Sequence, residues 1–438
     1  MNKKLLLPAF YLSCLIPFYS FSAEYSKVSI VMSSETQASA ATAKKVMVHN
    51  DFYQGCLLFQ DDIRSSDHTV FLKTLKPHSL IRSWYRFGEP VPEKAYSARS
   101  KIIKEMKQKG IRIGGGESLS VVNDRDLNRK DFDQSWLSTN LNGSAFEKDG
   151  KKYASLSVPG FRSYLVKNLM EQVQLGVKEL HLGETNGKIL YDDYSLGIKG
   201  DDGFVQWIQT QHPNQNVEWW TSHFGDLGSA IANHQTVTRE MFQSLNGSAL
   251  SNFQSEWGKP DSWNGTNTQD QPAFLAYAYQ KNIQSLMTEL KNQLKNKGKD
   301  NVFIDIWGTA DWLKGVSPMP DAVMASPPDE KWGFPWNTNP NYDIKKDRDR
   351  IKKIMLDDLK TISPAQMVYM FDHPKPFLTD FAKLSDSRQA YLTRFFSDLC
   401  DEIGAKFVLR SYQEIPKILG PETKKVIQEI CTKQNEKR

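Results

Sequence analysis

The stretch from Gly160 to Glu184, GFRSYLVKNLMEQVQLGVKELHLGE, holds one complete passage from helix to strand. Phe161, Tyr164, Leu165, Leu169 and Val173 recur near helical spacing, so its first part reads as a helix with one apolar face. Gly176 closes that helix, as a residue free to adopt positive φ does at a C-terminus. The run 178–184, KELHLGE, then reads as a short strand ending in Glu184. Behind it the loop carries Asp192 and Asp193. A carboxylate placed where a buried strand emerges faces a cavity instead of bulk water, and its pKa is open to tuning there.

The same alternation extends outward in both directions. Short β-like runs stand at 46–50, 79–87, 111–118, 302–308, 321–326, 367–372 and 406–411, which with 178–184 makes eight. Between them lie amphipathic helical runs. SARSKIIKEMKQKG stops at Gly110, a long run from Pro272 stops at Gly298, and SDSRQAYLTRFFSDLCDEIG opens on a serine or aspartate cap. Strand–helix alternation from end to end implies parallel strands joined by crossover helices. Eight such units fit a (β/α)8 TIM barrel of the α/β class, with long insertions after strand 4 (about 188–270) and strand 6 (SPPDEKWGFPWNTNPNYD). A doubly wound open sheet satisfies the same alternation, and strand count does not separate the two.

The chain has 438 residues, 39% hydrophobic and 24% charged, the balance of an ordinary globular protein. Its net charge of +5 owes part of its excess to Lys3 and Lys4, and is too small to point to nucleic acid or an acidic membrane. Residues 1–23 read as a secretory signal peptide: two lysines, an apolar run from Leu5, and small residues up to Ala23. An uncleaved anchor or a lipoprotein site at Cys14 is the alternative, which Pro8, Pro17 and Tyr11 weaken. Residues 24–44 are small and polar, a flexible leader, and 45–438 form a single barrel domain with C-terminal helices. This predicts a periplasmic or secreted protein with no membrane contact after cleavage. Outside the signal stand Cys56, Cys400 and Cys431. A Cys400–Cys431 bridge leaving Cys56 unpaired, or three reduced thiols, both satisfy the count.

In a barrel the chemistry collects at the C-terminal ends of the strands. Those ends are acidic here. Glu117 ends the third run, Glu184 the fourth and Asp372 the seventh; Asp305 lies in the second half of the fifth. Glycosidic bond cleavage needs two carboxylates, one to protonate the leaving oxygen and one as nucleophile or base. Nine of the eleven tryptophans lie between Trp207 and Trp336, where flat indole faces at a barrel rim would suit sugar rings. Ordinary loop packing is the better reading for any one of them taken singly, and Asp305 reads more readily as a buried, hydrogen-bonded structural acid. Other chemistries find little support. GGGES lacks the Lys-Ser/Thr of a phosphate loop, GESLS lacks the second glycine of a nucleophile elbow, and HExxH is absent. His181 and Glu184 stand three apart on a strand whose side chains alternate, a poor shared metal site. The sequence calls for no metal and no cofactor.

These residues resemble secreted barrel proteins of glycoside-hydrolase type, loosely β-galactosidase-like. Phe161-Arg162-Ser163-Tyr164-Leu165 is similar to a FREYL helix, Gly176 to Glu184 to a GVDGIHFDE strand, and Asp192-Asp193-Tyr194 to a DDY segment. The likeness spans roughly residues 45 to 415. It implies Glu184 as general acid and Asp372 as its partner, with Glu117 or Asp193 in reserve. Arg82, Trp84, Glu117, Asn186, Asp192, Asp193, Asp305 and Trp307 are the expected contacts to a carbohydrate substrate. One departure stands out: Gly183-Glu184 replaces Asp-Glu, so an orienting acid is missing. An exported glycoside hydrolase is the first expectation. A catalytically inactive carbohydrate-binding barrel is the second, and a metal-dependent hydrolase using the strand-end acids is the third.

Overall fold

The structure is a computed structural model that describes residue 53 and residues 55–60, 73–81, 104–105, 107–122, 124–140, 143–148, 150–174, 176–183, 203–258, 274–372, 384–411 and 419–437. All of these belong to one compact unit, Val48–Arg438. The expected signal peptide, the leader and the run 46–50 lie outside the described residues.

The strands are β1 (Leu57–Gln60), β2 (Ser79–Ile81), β3 (Arg112–Ile113), β4 (Gly115–Ser118), β5 (Val121–Val122), β6 (Glu147–Lys148), β7 (Lys151–Tyr153), β8 (Glu179–Gly183), β9 (Phe303–Trp307), β10 (Ala322–Ala325), β11 (Gln366–Asp372) and β12 (Lys406–Ser411). Nine of them form one sheet in the order β3-β2-β1-β12-β11-β10-β9-β8-β4, and every pair in it is parallel. The two terminal members, β3 and β4, are halves of one run divided at Gly114, whose N–H donates to Leu80 O at 2.8 Å. One half pairs with β2 and the other with β8, so the sheet closes on itself through a single bent strand. Eight runs therefore make a ring, and the open doubly wound sheet is set aside.

Seven of the eight runs coincide with the expected strands; the first does not. Among the described residues the first barrel strand is Leu57–Gln60, a run not among the eight expected from the sequence. It and 46–50 are both short runs in the sequence, and periodicity does not arbitrate between runs of four or five residues.

The helices used below are α1 (Pro159–Gln174), α2 (Phe204–Gln211), α3 (Val217–Ala232), α4 (Arg239–Gln243), α5 (Gly247–Trp257), α6 (Phe274–Asn296), α7 (Ala310–Leu313), α8 (Arg348–Ile362), α9 (Asp386–Ile403) and α10 (Pro421–Glu436). Ser385 caps α9 by accepting from Arg388 N, and Gly404 ends it in the left-handed region (φ 78°).

Alternation along the strands sorts the core into two layers. Leu58, Leu180, Leu182, Ile304, Ile306, Val323, Tyr369 and Phe371 pack outward among the helices. Leu57, Ile81, Phe303, Ala322, Met324, Val368, Met370 and Val408 fill the ring interior, with Tyr53 among them. The insertion after β8 is helical, α2–α5, and is built on its own aromatic cluster: Phe204 meets Phe253 at 5.2 Å and Phe274 of α6 at 5.4 Å. The insertion after β10 is anchored by Trp336, which donates Nε1–H to Pro328 O at 2.7 Å and stacks on Phe371.

The cysteines depart from both expectations. Cys56, just before β1, is bonded to Cys431 in α10, and Cys400 is a buried free thiol. The pairing follows from where α10 lies. Cys56 N donates to Asn435 Oδ1 at 2.9 Å, and Asn435 Nδ2 donates to Lys76 O, so the last helix is strapped to the feet of β1 and β2. Gly55 permits this approach: a Cβ there would lie 2.8 Å from Asn435 Oδ1.

Candidate active site

All ring strands run in the same direction, so their C-terminal ends form one rim. β8 reaches that rim at Gly183, in register with Ser118 of β4. β9 reaches it at Trp307 and β11 at Asp372, whose backbone pairs with Arg410. In the ring order β8 and β11 are three places apart, with β9 and β10 between them. Glu184, the residue after Gly183, lies outside the described residues, as do Arg82, Trp84, Asn186, Asp192 and Asp193.

Trp307 is half-buried and packs against the interior cluster, so its indole stands on the lumen side at the end of β9. Asp305 is on the same face two residues lower and is fully buried. It belongs to a polar group that the sequence reasoning did not assemble. Tyr53 Oη lies 2.9 Å from Asp305 Oδ2 and 3.0 Å from Glu179 Oε1. Ser79 Oγ donates to Glu179 Oε2 at 2.8 Å, and His181 Nδ1 makes a short contact with Asp305 Oδ1. Burial pushes the Glu179 carboxyl up to about 8, with the Asp305 charge adding to it; the Ser79 and Tyr53 hydrogen bonds and Arg112 pull the other way. Burial, then the two carboxylates, also raise the Tyr53 phenol well above its ordinary range.

Ser79, Glu179 and Phe303 are each the first residue of their strand, so this group occupies the N-terminal half of the ring, away from the rim. At that end of a barrel polar residues serve stability rather than turnover. A signal for it was present in KELHLGE: Glu179 and His181 alternate with Leu180 and Leu182, a period-two polar face in a strand expected to be buried on both sides. Tyr53 carried no comparable signal.

Glu117 faces the other way. Its Oε1 accepts from Gln172 Nε2 of α1 at 3.0 Å, and the same Gln172 bonds both Gly116 N (2.8 Å) and Gly116 O (3.2 Å). Glu117 lines a cleft of about 240 Å³, solvent at its mouth included, with Ser118, Asp126 and the α1 residues Phe161 and Tyr164. Tyr164 donates to Asp126 Oδ1 there. Glu117 thus points from the sheet to the helix layer, and the lumen does not contain it.

The tryptophans divide. Trp207, Trp220, Trp257, Trp312 and Trp336 are core residues, whereas Trp219, Trp307 and Trp332 are half-buried. The excursion after β4 and the helical insertion after β8 touch: Arg239 of α4 donates to Asn140 O and to Thr139 Oγ1. Among the described residues no group of three or more His, Cys, Asp or Glu is placed to hold a metal. No helix among them is long and apolar enough to cross a membrane.

No known protein family and no curated protein matches the sequence. Solved structures do match in three dimensions. The β-galactosidase from the psychrophilic Marinomonas ef1 superposes with a TM-score of 0.52 at 9% identity, over 86% of this chain and 59% of that one. The cold-adapted β-galactosidase from Rahnella sp. R3 gives 0.52 at 11% identity, over 89% and 57%. That from Bacillus circulans sp. alkalophilus gives 0.50 at 11%, over 89% and 57%. The chain thus spans rather less than three-fifths of the length of these enzymes, and at such identities the likeness is one of fold. The fold is an α/β barrel of the TIM type, the architecture on which those β-galactosidases are built.

Proposed function

We propose that the protein is an exported glycoside hydrolase acting on a poly- or oligosaccharide, with Glu184 as general acid and Asp372 as nucleophile or base. The observation that carries this reading is the closed ring. It brings the end of β8, one residue before Glu184, and the end of β11, which is Asp372, to one rim from strands three places apart. Two carboxylates supplied from separated strands of one mouth are what protonation of a leaving oxygen and attack at the anomeric carbon require. Trp307 at the same rim offers an indole face to a sugar ring. The β-galactosidase likeness supports the reading at the level of fold only.

A second reading, a carbohydrate-binding barrel without turnover, is favoured by Gly183. In step with Glu179 and His181, position 183 faces the lumen and presents no side chain there, where the resembling pattern has an aspartate. The purified protein assayed against a panel of soluble polysaccharides and oligosaccharides decides between them. Release of reducing ends, unaffected by chelator, supports hydrolysis by carboxylates. Tight sugar binding with no release supports the second reading, and release abolished by chelator contradicts both.

A further inference from the structure

The interior polar group has a proton count that its geometry fixes. Three oxygens stand in sequence, Glu179 Oε1, Tyr53 Oη and Asp305 Oδ2, at 3.0 and 2.9 Å. Two hydrogen bonds need two protons, and the phenol supplies one. If both carboxyls were ionised, one contact would set a lone pair against a negative oxygen inside a fully buried site, where an unmatched charge is costly. A second proton therefore belongs on one of the two carboxyls. The other oxygen of Asp305 meets His181 Nδ1, a ring nitrogen that donates in its Nδ1–H tautomer, the tautomer that an ionised acceptor selects. Among the described residues, the hydrogen bond to the other oxygen of Glu179 comes from the neutral Ser79 hydroxyl.

We infer that the barrel interior is a proton-binding site in which Glu179 is a neutral carboxylic acid in the folded protein at neutral pH, donating to Tyr53, which in turn donates to an ionised Asp305. Asp305 then accepts from both Tyr53 and His181, so one buried negative charge has two donors, and the chain Ser79–Glu179–Tyr53–Asp305–His181 is satisfied throughout. This state holds whether or not the rim cleaves sugars.

A proton held on Glu179 gives the fold an alkaline limit. The groups acting on Glu179 among the described residues are Ser79 of β2, Tyr53 ahead of β1, Arg112 of β3 and Asp305 of β9, and His181 of β8 meets the far oxygen of Asp305. Of these, Arg112 favours ionisation of Glu179 by charge, and the Asp305 charge opposes it. The folded value of about 8 stands above the ordinary 4.5, so the native state binds this proton more tightly than the unfolded chain. The stability it contributes is complete below pH 4.5 and is lost as pH rises through about 8.

The test is infrared spectroscopy of the full chain, comparing wild type with Glu179→Gln and Asp305→Asn at pH 7. The wild type is expected to show the carbonyl band of a buried carboxylic acid, and that band is expected to be missing from Glu179→Gln and retained in Asp305→Asn. Glutamine keeps an N–H donor for Tyr53, so Glu179→Gln is also expected to lose the fall in melting temperature between pH 5 and 9. A wild-type spectrum at pH 7 without a carboxylic acid band overturns the inference even if neither variant folds. A band that survives Glu179→Gln and vanishes in Asp305→Asn overturns the assignment of the proton.

Discussion

Ile113 and Gly115 stand on either side of a single glycine, yet they pair with opposite ends of the sheet: Ile113 with Leu80 and Gly115 with Leu180. The ring is closed at this point. The next residue, Gly116, has φ +152°, and a Cβ on it would lie 2.1 Å from the His181 carbonyl oxygen. Closure thus depends on a backbone approach that only glycine allows. Gly116→Ala is expected to destabilise by about 3 kcal/mol or more, the upper end for one substitution. Gly110→Ala, at φ +75° with open space around it, should cost only about 1–2 kcal/mol. Urea unfolding of the two variants compares them.

The bond between Cys56 and Cys431 joins positions separated by 375 residues and holds the last helix to the first strand. Cys56→Ser or Cys431→Ser is expected to cost about 2–5 kcal/mol, and Cys400→Ala to leave the linkage intact. Peptide mapping without reductant should recover the Cys56–Cys431 pair. A Cys400–Cys431 peptide would contradict the structure.

Tyr53→Phe keeps the ring edge-on to Phe303 at 4.7 Å but removes the hydroxyl between two buried carboxyls. Leaving buried partners unsatisfied costs about 1–3 kcal/mol, and denaturant unfolding should show a loss of that size. Combined with Glu179→Gln, the effect should be non-additive, because both substitutions act on one network.

The acid side of the stability profile is set elsewhere. Hydrogen bonds from Arg348 and Lys352 hold the Glu402 carboxyl down at about 2, and those from Arg129 and Lys167 hold Asp131 well below the usual carboxylate range. Folded values below unfolded ones give stability that is present above about pH 4.5 and lost as pH falls through the folded value. Glu402→Gln should therefore flatten the loss below pH 4.5 and leave the alkaline limb unchanged. Asp358 has the opposite sign: burial raises it to about 6 despite the Tyr369 hydrogen bond. Asp358→Asn should remove a decline between pH 4 and 6. Melting temperatures measured across pH 3–9 separate the three windows.

Much of the architecture was legible because the runs 178–184, 302–308, 367–372 and 406–411 each join an apolar core to a defined stop, and helices end at Gly110, Gly298 and Gly404. The first strand was not, since Leu57–Gln60 is too short to carry a period. The face of Glu117 was hidden by the three glycines before it, which leave no side-chain alternation to read. The tryptophans show the limit of composition: Trp207, Trp257 and Trp336 fill insertion cores, and only contact geometry separates them from Trp307 at the rim. The Cys56–Cys431 pair joins the two ends of the chain, which no local spacing reports.

The most direct test of the glycosidase reading is steady-state hydrolysis of the best substrate from the panel by the wild type, Glu184→Gln and Asp372→Asn. Each substitution is expected to lower kcat by at least about 10²-fold, the loss on removing an acid–base group, while sugar binding persists. Wild-type rates from either variant would contradict the glycosidase reading.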